Sequence, residues 1–121
     1  MLLSGLMISC NKEPGEGGTS TITGKVYRYE VNALGEILDE YYISDKDVYI
    51  IYGTEDQIYD NDFSTSYDGS YEFKGLRKGT YTIFTYSVCL TCPNEEEIIS
   101  QTVEITENKQ TIVLDDLITY K

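Results

Sequence analysis

Histidine and tryptophan are both absent from this 121-residue chain. Without an imidazole, the usual neutral metal ligand and the usual near-neutral general base are missing, and so is every Ser-His or Cys-His nucleophile pair. Basic residues are few: 9 Lys and Arg stand against 21 Asp and Glu, for a formal charge of -12. That field repels nucleic acid phosphates and anionic headgroups, so nucleic acid is not an expected partner. No apolar run approaches the roughly 20 residues that a membrane-spanning helix needs. Enzyme readings begin at a disadvantage. Acid–base pairs of Asp and Glu could serve in principle, but none has diagnostic spacing, and no catalytic residue or cofactor is expected.

What is present suits a folded domain. Apolar residues make up 40% of the chain, 12 residues are tyrosine, and the mean hydropathy is -0.31. The length suits one core and is short for two.

Residues 1–9, MLLSGLMIS, are apolar or small, and Cys10 is followed by the polar NKEPGEGG. A secretory h-region fits this pattern. Leu6, Met7, Ile8, Ser9 and Cys10 resemble the cleavage box of bacterial lipoprotein signals, in which a small residue precedes an acylated cysteine. The resemblance implies a signal remnant over 1–10 ending in lipidated (palmitate-type) Cys10, a flexible tether over 11–20, and a membrane partner reached through the lipid. The missing basic n-region places the expected start codon upstream of Met1. Outer-membrane attachment, facing the cell surface, is the expected location.

From Thr21 to Lys121 short β-rich segments alternate with turn residues, and one sandwich domain is expected over 21–121. Residues 21–31, TITGKVYRYEV, alternate Ile22, Gly24 and Val26 against Thr23, Lys25 and Tyr27, which predicts a half-buried strand. Residues 47–53 predict a second. Between them, Leu34, Ile37, Leu38, Tyr41 and Tyr42 fit helical spacing, while Gly35 and the Tyr-Tyr-Ile run favour a hairpin turning at 32–35, the reading adopted here. Acidic and Asn residues over 53–62 mark a loop before a short strand at 63–66. In YDGSYEFKGLRKGTYTIFTY (67–86), Asp68-Gly69 predicts a tight hairpin turn and Lys78-Gly79 another, with Tyr71, Phe73, Tyr81 and Ile83 facing one way. Strands at 98–106 and 110–119 flank a turn at 107–109. The expectation is an all-β, antiparallel sandwich of seven to eight strands.

Asp68-Gly69, Tyr71, Phe73, Leu76, Gly79, Tyr81 and Ile83, with Gly24-Lys25-Val26 opening the domain, resemble the carboxypeptidase regulatory-like (transthyretin-like) domains of Bacteroidota-type surface lipoproteins. The resemblance covers most of 21–116. It implies the sandwich fold and a non-enzymatic accessory role beside an envelope protein partner.

Three groups of residues are candidate sites. Cys89 and Cys92, in CLTCPN, stand two residues apart after a strand and before Glu95, Glu96 and Glu97. Those carboxylates oppose a thiolate, and two sulfurs are too few for zinc. A structural disulfide, contributing about 2 kcal/mol before strain, is the expected pairing. Asp45, Asp47, Glu55, Asp56, Asp60 and Asp62 form an acidic rim, with Asp60 and Asp62 as calcium candidates. Their order matches no EF-hand loop, so a solvated rim and no metal is the reading adopted. Tyr27, Tyr29, Tyr49, Phe84 and Tyr86 fall on the outward parity of their strands. The 36–43 hairpin covers them, or their hydroxyls reach water while the rings lie flat, or they form an aromatic face for a protein or glycan. The absence of tryptophan counts against the glycan. Direct capture of a glycan, peptide or calcium ion is the alternative to the accessory role.

Overall fold

The alternation read at 21–31 continues further toward the N-terminus than composition suggests. Strand β1 runs Glu16–Val31, and Ser20, Ile22, Gly24 and Val26 are buried in turn. In this computed structural model, which describes residues 13–53 and 58–121, eight further strands follow: β2 (Ile37–Tyr42), β3 (Asp47–Tyr52), β4 (Asn61–Ser64), β5 (Ser70–Leu76), β6 (Gly79–Val88), β7 (Glu96–Ile105), β8 (Thr111–Val113) and β9 (Leu117–Tyr120). They form two sheets. In the first, β1 is the long central strand, pairing antiparallel with β5 through Ile22–Lys25 and with β2 through Tyr27–Val31. Its other edge takes β8 and then β9, both parallel to it. The second sheet has the antiparallel order β4-β3-β6-β7.

The inward rows of the two sheets make one core. Ile22, Val26, Tyr71, Phe73, Leu76 and Leu117 from the first meet Val48, Ile50, Tyr81, Ile83 and Ile105 from the second. Residues directly opposite on paired strands share a face, so this core also fixes the outward row of each strand.

Segment 32–43 is a hairpin. Asn32 Oδ1 accepts the amides of Leu34 and Glu36 at 2.9 and 3.0 Å, Gly35 has φ +83, and β2 pairs with β1. The expected Asp68-Gly69 hairpin is corrected. The turn is tight, with Gly69 at φ +82 and its amide 2.9 Å from the Ser66 carbonyl oxygen. Yet β4 pairs with β3 and β5 with β1, so the turn carries the chain from one sheet to the other. The turns at 77–78 and 107–109 do the same. Tyr71 and Tyr81 therefore enter the core from opposite sheets instead of lying side by side. The expected last strand, 110–119, leaves its ladder at 114–116 and becomes β8 and β9. The all-β, largely antiparallel sandwich is as expected, with nine strands among the described residues where seven to eight were expected and with β8 and β9 parallel to β1.

The tether expected over 11–20 is also corrected for its described part. The Tyr81 hydroxyl donates to the Arg77 carbonyl at 2.6 Å and accepts the Gly15 amide at 2.8 Å, while the Arg77 amide donates to the Gly15 carbonyl at 2.8 Å. Pro14 packs against Gly79, where an added Cβ would lie 2.7 Å from its Cγ. The chain is thus bonded to the β5–β6 turn from Pro14 onward. The signal remnant, Cys10 and residues 11 and 12 lie outside the described residues.

Candidate functional site

Outward parity on β3 and β6 brings three of the expected aromatic residues together. Tyr49 and Phe84 are cross-strand partners with ring centroids 5.1 Å apart and nearly parallel, and Tyr86 lies 5.8 Å from each of them. Tyr59, which the sequence placed in a polar loop, closes the group at 4.6 Å from Tyr49. Phe84 is 9% exposed and serves as the packed member of the cluster, while Tyr59 is 44% exposed. Ile98 on β7 is the partner of Tyr86 and is exposed, extending the apolar surface toward the sheet edge.

The rim of this platform is acidic and polar. Asp62 is the cross-strand partner of Tyr49, and Asp47 holds the Ser64 hydroxyl at 2.8 Å. Partial burial, followed by the charge of Asp47, raises the Tyr49 phenol above its ordinary value. At the far end of β6 an open cleft of about 300 Å³ is bordered by Tyr86, Ile98, Pro93, Asn94, Glu96 and Glu97. The turn that walls it is braced. Cys89 and Cys92 are joined with Sγ atoms 1.98 Å apart, as the CLTCPN spacing led us to expect, and the Cys89 amide donates to the Glu95 carbonyl at 3.0 Å. Cys89, Cys92 and Glu97 bring potential ligand atoms within 4.8 Å of one another, but the two sulfurs are already bonded to each other and offer no thiolate.

The other two expected aromatic residues belong to a separate patch. Tyr27 and Tyr29 lie on the outer face of the first sheet, across the core from the platform, with Tyr42 4.8 Å from Tyr27 and Tyr120 stacked 5.7 Å from Tyr29. The hairpin does not cover this face. It widens the sheet and adds Tyr42 to the same surface. Two of these four hydroxyls are tied internally: Tyr27 donates to Glu40 and Tyr42 to Asp116, each at 2.9 Å. The bond to Glu40 pushes Tyr27 up to about 12. Lys25 sits 4.8 Å from the Tyr42 ring centroid. The hydroxyls of Tyr49, Tyr59 and Tyr86, like those of Tyr29 and Tyr120, make no hydrogen bond among the described residues.

The calcium candidates are not brought together as ligands. The Asp60 carboxylate accepts the Tyr52 amide at 2.7 Å, capping the end of β3, while Asp62 stands beside Tyr49. Neither belongs to a group of three potential ligands among the described residues, and Glu55 and Asp56 lie outside those residues.

No protein-family model matches the chain, and no curated protein matches it in sequence. Among solved structures, one from Pseudomonas aeruginosa, named as a candidate carbohydrate-binding protein, is similar with a TM-score of 0.51. The match covers 84% of this chain and 90% of that one at 15% identity. At that identity the likeness establishes a shared all-β fold.

Proposed function

We propose that this protein is a non-enzymatic, lipid-anchored binding module of the outer membrane that captures a glycan on the Tyr49, Tyr59, Phe84 and Tyr86 platform. One observation carries this reading: a contiguous ring cluster on a solvent-facing sheet, with a polar cleft at its end. Tyrosine faces supply rigid apolar area for the C–H faces of sugars, and their hydroxyls, with Asn94 and the rim carboxylates, supply partners for sugar hydroxyls. The name given to the Pseudomonas structure points the same way.

The anchor rests on the lipoprotein-like LMIS-Cys10 box. Several acyl chains at Cys10, at about 0.8 kcal/mol per buried methylene, would hold the protein on a membrane. Covalent reach then restricts its posture, because Cys10 can lie at most about 14 Å from Pro14, where the bonded region begins. The β5–β6 turn thus faces the bilayer, and Tyr86 stands roughly 23 Å further along β6, on the side away from it.

A second reading is an accessory subunit of an envelope complex, as the likeness to carboxypeptidase regulatory-like domains implies. It is favoured by the second patch, Tyr27, Tyr29, Tyr42 and Tyr120, which leaves the opposite face for a protein partner.

Calorimetric titration with a panel of neutral and charged oligosaccharides tests the first reading. Tyr86→Ala is expected to weaken binding by roughly tenfold or more, as loss of a central aromatic contact does. Tyr29→Ala should leave it unchanged. Absence of binding across the panel, or equal losses in both variants, rejects the glycan reading. In the same protein Cys10→Ala is expected to move the domain from the membrane to the soluble fraction without altering its melting temperature. A Cys10→Ala variant that still pellets with membranes at high salt rejects the anchor.

A further inference from the structure

A second cleft, larger than the one beside Tyr86, lies at the other end of the sandwich from the disulfide turn. It has a volume of about 680 Å³ and opens between the start of β1, the β5–β6 turn and the end of β7. Two of the chain's 9 basic residues, Arg77 and Lys78, line it, against one carboxylate, Glu104. In a chain of charge -12, its lining therefore carries a local excess of positive charge. Thr106 and Asn108 supply uncharged polar groups on the opposite wall.

Arg77 is held as a preformed donor. Its amide bonds to Gly15 and its carbonyl to the Tyr81 hydroxyl, so its backbone is fixed on both sides. Its guanidinium lies over two glycines: a Cβ at Gly15 would come within 3.3 Å of Nη2, and one at Gly17 within 3.9 Å of Nη1. Both glycines adopt positive φ, at +143 and +107, which keeps larger residues out of this space. Two ion pairs form among the described residues, Lys25 with Asp68 and Lys74 with Glu72, and neither includes Arg77 or Lys78. Arg77 Nε is buried and has no hydrogen-bond partner. That nitrogen faces the protein interior, whereas Nη1 and Nη2, at the other edge of the same guanidinium, make no hydrogen bond among the described residues and are left for an anion in the cleft.

We propose that this cleft is an anion site for the phosphate group of a phosphate ester, gripped by the Arg77 fork and by Lys78 as a point charge. The ester can be a soluble metabolite or a lipid headgroup, since both present the same oxygens. Recognition is short-range. The chain's overall charge opposes approach, so the cleft selects a small, well-fitted group over a diffuse anionic surface.

Amide NMR of the full chain tests the site in two arms. The first titrates inorganic phosphate and glycerol 3-phosphate. The second compares vesicles of phosphatidylglycerol with vesicles of a galactosyl diacylglycerol that carries no phosphate. Saturable shifts of Gly17, Gly18, Thr106 and Asn108 are expected, in the first arm for a soluble ester and selectively with phosphatidylglycerol in the second for a headgroup. Arg77→Met and Lys78→Met should each weaken binding roughly tenfold, with Arg77→Lys recovering part of the loss. Lys78 is exposed, so its variant separates lost charge from lost folding. Lys74→Met, outside the cleft, should bind as the parent does. Silence in both arms, or equal weakening by Lys74→Met and Lys78→Met, overturns the proposal.

Discussion

Gly24→Ala is expected to lower the melting temperature by roughly 10 °C, the cost of overpacking by about 1–3 kcal/mol in a domain of this size. Gly24 and Tyr71 are direct cross-strand partners, both pointing into the core, and the phenol ring lies across the glycine. A Cβ there would stand 2.5 Å from the Tyr71 Oη and 2.8 Å from its Cζ. The ring cannot swing into solvent, because Tyr71 is 1% exposed and packs against Phe73 at 6.1 Å. Either β1 and β5 separate or the ring leaves its rotamer. Tyr71→Leu in the Gly24→Ala background frees the crowded atoms, so the two changes should be strongly non-additive, the double variant losing less than the sum. Thermal melts of the two single variants and the double check this. A Gly24→Ala protein that melts with the parent contradicts the packing described.

Alkaline conditions are expected to unfold this protein steeply, and Tyr71→Phe to move the transition to higher pH. Seven of the 12 tyrosines are raised above their ordinary value of 10.0. For Tyr71 the cause is burial, followed by the charge of Asp116, and its hydroxyl has no hydrogen-bond partner. In the unfolded chain the phenol releases its proton as pH passes 10, whereas the folded protein retains it. Above pH 10 the folded state thus binds more protons, and stability falls with rising pH, by about 1.4 kcal/mol per pH unit for one such group until the folded value is reached. Below pH 10 both states are protonated and the stability is fully present. Removing the hydroxyl in Tyr71→Phe abolishes this dependence and also removes a buried, unpaired polar group. The variant should be at least as stable as the parent near neutrality. Urea melts on both sides of pH 10, with tyrosinate absorbance as a second signal, check both points. Identical alkaline profiles for parent and variant would assign the alkaline loss to other tyrosines.

Much of the strand content follows from period-two alternation. Ile22, Gly24 and Val26, or Tyr81 and Ile83, are buried because the alternate positions on their strands are polar or outward aromatic, and burying one parity is the only way to cover them. The same parity identified Tyr49, Phe84 and Tyr86 as outward residues. It could not say which sheet each strand joins. A tight turn such as Asp68-Gly69 closes a hairpin or rounds a corner with the same residues, and the choice depends on which edges are free to pair. For that reason Tyr27 and Tyr29, read with Tyr49 as one face, are on the far side of the molecule. Tyr59 was missed because it carries no alternation signal. It is placed by a loop whose end is capped by Asp60 on Tyr52. The glycine-rich start of β1 reads as linker by composition, and partners remote in sequence, among them the Tyr81 hydroxyl, the Arg77 amide and Leu76 on β5, draw it into the fold.

The sequence by itself determined the all-β class, the outward parity of the tyrosines and the pairing of Cys89 with Cys92, because each depends on residues that are neighbours along one strand or one turn. Only the tertiary structure decided the sheet to which each strand belongs, the separation of the aromatic residues into two opposed patches, the capture of Pro14 and Gly15, and the cleft beneath Arg77. Each of these joins residues far apart in the chain, and such contacts form only when competing pairings of similar local quality are resolved by closing one core.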